Sequence, residues 1–288
     1  MLKQRVLTAI VLLIALVMIT TLLSPFLFAL VIAGILMIAG LEWTRFIGLE
    51  NARGRVSYLF SLLAIIAGLV LVLGITPTAA TLDPARVNVI LGLGMLFWLI
   101  AIALLSGYPG NAVYWNDPSR IALMGLLALV PAWTGLVQLK YLEPGGYLVL
   151  MTIALVSVAD IGAYFAGRAF GNRKLAPAIS PNKSWAGVWG GMAATVSLAV
   201  LFVWIAHTRF VTLTPAQAAF LVACSIPLAL ISVAGDLFES MLKRNRDLKD
   251  SGSILPGHGG IMDRIDSLVA VVPLVVLTLT LVARSLPS

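Results

Sequence analysis

Residues 240–266 read SMLKRNRDLKDSGSILPGHGGIMDRID, a polar stretch between two long apolar runs. The stretch holds five of the nineteen basic residues of the chain and four of its twelve acidic residues, and Asp236 and Glu239 stand directly before it. Carboxylates bind hard cations such as Mg²⁺, Lys and Arg bind phosphate oxygens, and glycines let backbone N–H groups close around an anion. The stretch is therefore predicted to connect two membrane-spanning helices and to support metal-assisted chemistry on a phosphate group.

The remainder of the chain is strongly apolar. Hydrophobic residues make up 60% of the sequence and charged residues only 11%, against about 25% in an average soluble domain. With a mean hydropathy of +1.04, this composition indicates an all-α polytopic membrane protein. The single cysteine, Cys224, excludes an internal disulfide and a cysteine-based zinc site. The net charge of +7 comes from Lys and Arg residues that lie between the apolar runs. Membrane topology and the binding of anionic lipid or nucleotide explain these positions better than the binding of nucleic acid does.

Apolar segments long enough to cross a bilayer recur along the chain, since a spanning helix needs roughly 20 such residues. Nine candidates are found, at residues 6–23, 26–41, 57–76, 88–106, 121–139, 147–166, 185–206, 217–235 and 266–283. The first is interpreted as a retained anchor because no small-residue cleavage site follows it. Ser24-Pro25 predicts a tight turn before the second. Aromatic residues near span ends, such as Trp43, Tyr58 and Trp185, are interpreted as interface anchors.

The distribution of basic residues predicts the orientation of these spans. With the N-terminus in the cytoplasm and the C-terminus outside, fifteen of the nineteen Lys and Arg residues lie on the cytoplasmic side, as the positive-inside rule requires. We divide the chain into residues 1–145, with about five spans, and residues 146–288, with about four. The polar loops 167–184 and 236–265 of the second part then both face the cytoplasm, where nucleotides are.

A second polar segment, residues 160–191, reads DIGAYFAGRAFGNRKLAPAISPNKSWAGVWGG. Asp160 is the only acid well inside an otherwise apolar span. An unpaired ionised acid is costly in that position, so Asp160 is a functional candidate. The alternative interpretation places it at the water boundary, paired with Arg168 or Lys183.

The end of this segment offers groups for binding an anion. Ser180, Lys183 and Ser184 precede a new helix and can present hydroxyls, an ammonium group and a helix N-terminus to a phosphate. An ordinary helix cap with a positive-inside lysine is the alternative. Gly187 and Gly191 form a GxxxG pair, which predicts close helix packing.

Both polar segments resemble the phosphatidate cytidylyltransferases, also called CDP-diacylglycerol synthases. The signature of that family runs through Ser, Lys-Arg, Lys-Asp, Pro or Gly, His-Gly-Gly and Asp-Arg-x-Asp. Its positions fall here on Ser240, Lys243, Arg244, Lys249, Asp250, Pro256, His258, Gly259, Gly260, Asp263, Arg264 and Asp266. The Asp-x-Gly-Ala-Tyr-Phe and Ser-Pro-x-Lys-Ser runs of the second segment are similar too, so the resemblance covers roughly residues 150–270. Ala186 departs from many relatives, which have a polar residue there, often Glu.

The resemblance implies an enzyme that transfers the cytidylyl group of CTP to phosphatidate, giving CDP-diacylglycerol and pyrophosphate for phospholipid synthesis. It further implies dependence on Mg²⁺, with Mn²⁺ as the alternative, and a homodimer in membrane lipid, with no nucleic-acid partner. The expected location is the bacterial cytoplasmic membrane, with the active site facing the cytoplasm.

Site roles are assigned from the motif and from charge. The predicted catalytic residues are Asp236, Lys243, Arg244, His258, Asp263 and Asp266. Residues predicted to bind substrate are Asp160, Ser180, Lys183, Ser184, Lys249, Asp250, Gly259, Gly260 and Arg264. The predicted metal ligands are Asp236, Asp263 and Asp266, because Asp236 ends one span, Asp263 opens the next, and Asp266 shares a helix face with Asp263. His258 is expected in a phosphate or metal-shell role and not as a general base, since a phosphate monoester is already ionised at neutral pH.

Other classes of protein fit less well. A CTP-dependent lipid kinase would transfer the γ-phosphoryl group and release CDP, but the full signature favours cytidylyl transfer. A polyprenyl-phosphate glycosyl-phosphate transferase would carry an adjacent Asp-Asp pair, which this chain lacks. A secondary transporter would place charges near mid-membrane within repeated broken helices, whereas here they cluster at one face.

Overall fold

The computed structural model describes residues 2–284 and the side chains of residues 7–283. Ten helices and one small hairpin make up this part of the chain, and the predicted all-α architecture is confirmed. The helices are α1 (Leu2–Leu22), α2 (Pro25–Ile47), α3 (Ala52–Val72), α4 (Pro84–Gly107), α5 (Ala112–Trp115), α6 (Pro118–Leu142), α7 (Tyr147–Phe170), α8 (Trp185–Arg209), α9 (Pro215–Asn245) and α10 (Met262–Arg284). The antiparallel hairpin β1 (Lys174–Ala176) and β2 (Ser180–Ser184) lies between α7 and α8.

Eight of these helices are long and apolar enough to cross a membrane, namely α2, α3, α4, α6, α7, α8, α9 and α10. They correspond to eight of the nine predicted spans. The remaining predicted span, residues 6–23, coincides with α1, whose described apolar part, Leu7–Leu22, is shorter than the others. The protein is thus a multi-pass membrane protein.

Polar residues between the apolar runs determine where helices begin. The Oγ atom of Ser24 accepts the N–H of Leu27 at 3.3 Å, and Pro25 occupies the first turn, as expected for an N-cap followed by proline. This arrangement confirms the tight turn predicted at Ser24-Pro25. Thr214 and Gln217 form a capping box at the start of α9, with side-chain bonds in both directions.

Helix α6 lies at the centre of the bundle, where it is largely buried against α2, α4 and α10. Trp133 on α6 is fully buried, and its indole N–H donates to the carbonyl of Ala29 on α2 at 3.0 Å. The interpretation of Trp43 and Tyr58 as interface anchors is wrong, because both are core residues, 1% and 7% exposed. The indole N–H of Trp43 donates to the carbonyl of Ile121 on α6 at 2.9 Å, which satisfies its polar atom within the bundle.

Helices α7 and α8 pack closely through glycines, which confirms the packing role predicted for Gly187 and Gly191. A Cβ added at Gly191 would lie 2.7 Å from the carbonyl oxygen of Ala159, and one at Gly187 would lie 3.0 Å from that of Ala163. Gly190 is equally confined, against Ala166 and Gly162. Small residues let the two backbones approach, as in other membrane helix pairs.

Two boundaries of the polar loops differ from the prediction. Helix α7 continues to Phe170 and α9 continues to Asn245, so that much of residues 236–245 is helical and not loop. Residues 174–184, predicted as loop, form the β1–β2 hairpin. Hydropathy identifies only the apolar part of a helix, whereas the backbone hydrogen bonds of α9 continue through its charged end.

Long-range contacts gather several polar connections at one end of the bundle. The guanidinium of Arg45, near the end of α2, donates to the carbonyl oxygen of Ser251 at 2.5 Å. Asn245, at the end of α9, donates to the side chain of Asn116, just before α6, at 2.8 Å. These connections are the ones predicted to share one side of the membrane.

Candidate active site

A polar groove opens between α7, the hairpin, α8 and α9. Its lining includes Asp160, Tyr164, Arg168, Asn182, Lys183, Ser184 and Asp236, with Ala163, Val188 and Val233 as apolar walls. The Nζ atom of Lys183 lies 2.5 Å from Oδ2 of Asp236, and Oδ1 of Asp236 accepts the hydroxyl of Ser240 at 3.3 Å. The structure therefore joins the two polar segments that the sequence singled out.

Further charges act on this ion pair. Asp160 and Asp266 each interact electrostatically with Asp236 and with Lys183. Arg264 contributes a second positive charge close to Asp160, while the guanidinium of Arg168 donates to the hydroxyl of Tyr164 at 3.3 Å. The groove lining thus carries two acids, Asp160 and Asp236, and two cations, Lys183 and Arg168. This charge distribution suits the binding of a metal ion and a phosphate together.

A second cluster lies deeper, between α9 and α10. The Nζ atom of Lys243 is 2.6 Å from Oε2 of Glu239 and 2.6 Å from Oδ1 of Asp263, and all three side chains are largely shielded from solvent. Lys243, predicted as a catalytic residue, is thereby held between two acids. Glu239 was not among the predicted site residues, although its position four residues before Lys243 on a helix is the spacing at which such pairs form.

Asp263 organises the backbone that precedes α10. Its Oδ2 atom accepts the N–H of Ser251 at 2.9 Å, the hydroxyl of Ser251 at 2.9 Å and the N–H of Gly260 at 2.8 Å. Since Oδ1 accepts from Lys243, both oxygens of Asp263 already have donors within the protein.

A polar cavity lies in the loop between α9 and α10, residues 246–261, named the signature loop because it carries much of the family signature. Its lining includes Lys249, Asp250, Gly252, Ser253, Pro256, Gly257, His258, Gly259 and Arg264. A tight turn shapes it, in which the N–H of Leu255 donates to Gly259 and that of His258 donates back to Leu255, both at 2.9 Å. Gly257 and Gly259 have φ angles of 75° and 81°, which glycine adopts without strain. The cavity brings together the predicted substrate-binding residues Lys249, Asp250, Gly259 and Arg264, along with His258.

Other predicted residues have structural contacts of their own. The guanidinium of Arg244 donates to the carbonyl oxygens of Ile179 at 3.3 Å and Leu248 at 3.2 Å, and so ties the hairpin to the end of α9. Ser184 caps α8, its Oγ accepting the N–H of Gly187 at 3.2 Å, and it also lines the groove. Ser180 begins β2 and is not among the groove-lining residues.

One acidic residue reaches the signature loop from the other half of the chain. Glu42 on α2 is 3% exposed, and its carboxylate accepts the N–H of Ile261 at 3.0 Å and that of Met262 at 2.7 Å. Sequence reasoning missed it. The available signal was an acid near the end of a very apolar run, but only the packing of α2 against the loop reveals its partner.

A divalent cation in this site would need oxygen ligands, which carboxylates can supply. Within residues 2–284, no three His, Cys, Asp or Glu side chains form a ready-made metal cluster. Mg²⁺, however, is commonly held by one or two carboxylates together with substrate phosphates and water. Asp236 and Asp266 fit that requirement, because they are close enough to interact and belong to the electrostatic network around the groove. Asp263 fits less well, because four protein donors lie 2.6–2.9 Å from its oxygens, whereas the donors on Asp236 are Lys183 at 2.5 Å and Ser240 at the longer distance of 3.3 Å.

The helical bundle with a polar groove and a polar cavity at its charged end defines a polytopic membrane protein with a candidate active site. The sequence model of the Cytidylyltransferase family matches residues 3–282, and the chain belongs to this family. It is 42% identical over 273 residues to the phosphatidate cytidylyltransferase of Pseudomonas aeruginosa, with 95% of each chain covered. It is 38% identical over 285 residues to that of Haemophilus influenzae, covering 95% of this chain and 96% of the relative. That of Bacillus subtilis is 38% identical over 165 residues, 55% of this chain and 59% of the relative. The resemblance seen in the polar segments is thus confirmed.

Proposed function

We propose that the chain is a phosphatidate cytidylyltransferase, which transfers the cytidylyl group of CTP to phosphatidate and releases pyrophosphate. The observation that carries this conclusion is the similarity along nearly the whole chain to proteins of that name. The structure supports it, because the signature residues meet the second polar segment at one end of the helical bundle.

The two polar sites suit the two substrates. The groove between α7, α8 and α9 has apolar walls that continue from membrane helices, so a lipid phosphate can enter it while the acyl chains stay in the bilayer. The cavity of the signature loop is lined by polar and glycine residues outside the apolar runs, which suits a water-soluble triphosphate. We assign phosphatidate to the groove and CTP to the cavity. Arg264 lines the cavity, and its charge also acts on Asp160 of the groove, so we assign Arg264 to both phosphates.

The reaction joins two anions. An oxygen of the phosphatidate phosphate attacks the α-phosphorus of CTP, a new P–O bond forms, and the bond to the bridging oxygen of the β-phosphate breaks. The nucleophile is already ionised at neutral pH, so no general base is needed. The main requirements are positioning and neutralisation of charge. Lys183 in the groove and Lys249 and Arg264 in the cavity are assigned to neutralisation of charge, and His258 in the cavity is assigned to positioning.

Asp236 and Asp266 are the residues we assign to holding Mg²⁺, with Asp160 beside them. When bound, the cation would neutralise phosphate oxygens and stabilise the pyrophosphate leaving group. Asp263 is assigned a different role, because its contacts with Lys243, Ser251 and Gly260 hold the loop that forms the cavity. Oxygen ligands favour Mg²⁺ or Mn²⁺ over zinc.

Localisation and assembly belong to the same proposal. Fifteen of nineteen basic residues on one side favour a cytoplasmic active site, and the relatives with the most extensive matches are bacterial proteins. We therefore place the enzyme in the bacterial cytoplasmic membrane. The homodimer implied by the family resemblance stays a prediction.

The deciding experiment follows isotopes from CTP into products. Purified protein is incubated with phosphatidate, Mg²⁺ and CTP labelled with ³²P at either the α- or the γ-phosphate. Cytidylyl transfer puts the α-label into lipid and the γ-label into pyrophosphate. A lipid kinase would put the γ-label into lipid and release labelled CDP from α-labelled CTP. Absence of label from lipid in both reactions would refute the proposed function.

A further inference from the structure

Glu42 is a buried acid whose carboxylate accepts hydrogen bonds from the signature loop and from the first residue of α10. It stands on α2, far in sequence from residues 150–270 that carry the motifs, and it is 3% exposed. Burying a carboxylate is costly unless hydrogen bonds compensate. Here Oε1 accepts the N–H of Ile261, and Oε2 accepts the N–H of Met262 and, at 3.3 Å, the hydroxyl of Ser251. A buried acid with this set of partners has a defined task in the loop.

That task includes capping α10 from a distant helix. The first N–H groups of any helix lack partners within the helix and favour a negative charge nearby. At the start of α10, Glu42 accepts the N–H groups of Ile261 and Met262, and Asp263 accepts that of Gly260. The Oγ atom of Ser251 lies 2.9 Å from Oδ2 of Asp263 and 3.3 Å from Oε2 of Glu42, so its single hydrogen is shared between the two carboxylates and links them.

The neighbouring end of α2 strengthens the same attachment. The guanidinium of Arg45 donates to the carbonyl oxygens of Asp250 at 3.3 Å and Ser251 at 2.5 Å. In the opposite direction, Arg246 donates to the carbonyl oxygens of Phe46 at 2.8 Å and Ile47 at 3.1 Å. The end of α2 and the signature loop are therefore bound together through charged side chains and backbone.

Two glycines show how closely the loop surrounds Glu42. A Cβ added at Gly260 would lie 2.6 Å from either carboxylate oxygen of Glu42. One added at Gly252 would collide with Oε1 of the same carboxylate. The loop backbone and the carboxylate are in direct contact at these points, so a shift of Glu42 must also shift the loop.

We infer that Glu42 is a positioning residue for the reaction. It holds residues 250–262 in the conformation that places Asp263 against Lys243 and arranges the cavity assigned to CTP. It acts through this backbone and touches neither substrate. The inference rests on the proposed function, and it assigns a role in the chemistry to a helix that carries none of the signature motifs.

The test compares two variants, Glu42→Gln and Glu50→Gln, each of which removes a negative charge and keeps the length of the side chain. Glu50 is exposed and lies just beyond α2, which makes it the matched control. Glu42→Gln should lower kcat per folded molecule by about tenfold to a hundredfold, because small displacements of catalytic groups have effects of this size. The KM for phosphatidate should stay unchanged, since the groove is built by other elements. The control should match the wild type in both quantities.

A loss of folded protein alone would lower the active fraction without changing kcat per folded molecule. The folded fraction is therefore measured by size-exclusion chromatography on the same preparation. Equal kcat in Glu42→Gln and the control would overturn the inference, and so would a rise in the KM for phosphatidate as large as the fall in kcat.

A second variant decides the matter if Glu42→Gln does not fold. Arg45→Ala removes the exposed guanidinium that holds the same loop, and it should lower kcat in the same direction by a smaller factor. Wild-type kcat in Arg45→Ala would then refute the inference. If the wild-type enzyme itself forms no CDP-diacylglycerol, the proposed function has failed instead, so the two failures are distinguishable.

Discussion

The ammonium group of Lys183 lies 2.5 Å from the carboxylate of Asp236, and this ion pair joins β2 to α9. The two residues are far apart in sequence and belong to different polar segments. Asp160 and Asp266 also interact with this pair. One lysine therefore offsets much of the negative charge in the groove, which makes it the first residue to test.

Lys183→Gln should abolish cytidylyl transfer while the protein still folds. The variant removes the charge that both offsets the carboxylates and attracts the lipid phosphate, and losses on the order of 10²–10³-fold are typical for one electrostatic stabiliser. Lys174→Gln, at an exposed position of the same hairpin, is the control and should keep its activity. Turnover of phosphatidate in mixed micelles measures both. Near-normal turnover in Lys183→Gln would exclude a role in charge neutralisation.

Chelation of divalent cations should stop the reaction, and added Mg²⁺ should restore it. The acids of the groove are oxygen donors suited to a hard cation. In Asp236→Asn, the Mg²⁺ concentration required for half-maximal activity should rise, because one ligand has lost its charge. A Mg²⁺ titration of turnover provides the measurement. Undiminished activity in excess EDTA would contradict the metal assignment.

Asp263→Asn should lower turnover without changing the Mg²⁺ requirement. The amide cannot match the carboxylate as acceptor for Lys243, Ser251 and Gly260, so the loop should loosen and the melting temperature should fall. A loss of activity on the order of 10²-fold is expected if the loop positions the reacting groups. The same Mg²⁺ titration separates the alternatives, because a raised requirement would make Asp263 a metal ligand, as the sequence analysis proposed. A folded variant with normal turnover would exclude both roles.

The orientation of the protein can be read from cysteine labelling. In a Cys224→Ser background, Asn172→Cys should react with a membrane-impermeant maleimide only from the cytoplasmic side, because it lies in the exposed turn after α7. Thr81→Cys, between α3 and α4, should react only from outside. Both sites are exposed, whereas Ser251 in the signature loop is fully buried and unsuited to labelling. The reverse pattern in intact cells would invert the topology.

Close packing of α7 and α8 makes one glycine sensitive to a single methyl group. A Cβ at Gly190 would collide with Ala166 and lie 2.8 Å from the carbonyl oxygen of Gly162, whereas one at Gly92 on α4 would have nothing within 4 Å. Gly190→Ala should therefore destabilise the protein by about 1–3 kcal/mol, as overpacking does, and Gly92→Ala should not. Melting temperatures in detergent compare the two. Equal melting temperatures would show that the helices move apart without cost.

The amino-acid sequence by itself determined the membrane architecture. A span is recognised from a run of neighbouring apolar residues, because bilayer thickness sets its length. Caps such as Ser24-Pro25 and the glycine pair of α8 are likewise local patterns. The signature motif identified the family because its residues are close together in the chain. Local patterns also led to the wrong interpretation of Trp43 as an interface anchor, because its burial depends on contact with α6, which is distant in the chain.

Only the tertiary structure decided which charges meet. Helix packing brings Lys183 to Asp236 and brings Asp263 to Lys243, which also pairs with Glu239. It also places Glu42 of α2 against the start of α10. Each residue has several candidate partners in the sequence, and the choice depends on the rotation and crossing of helices far apart in the chain. A buried charge in an apolar bundle is costly unless an opposite charge or a hydrogen bond lies beside it. Helix packing therefore determines both the stability and the geometry of the candidate site.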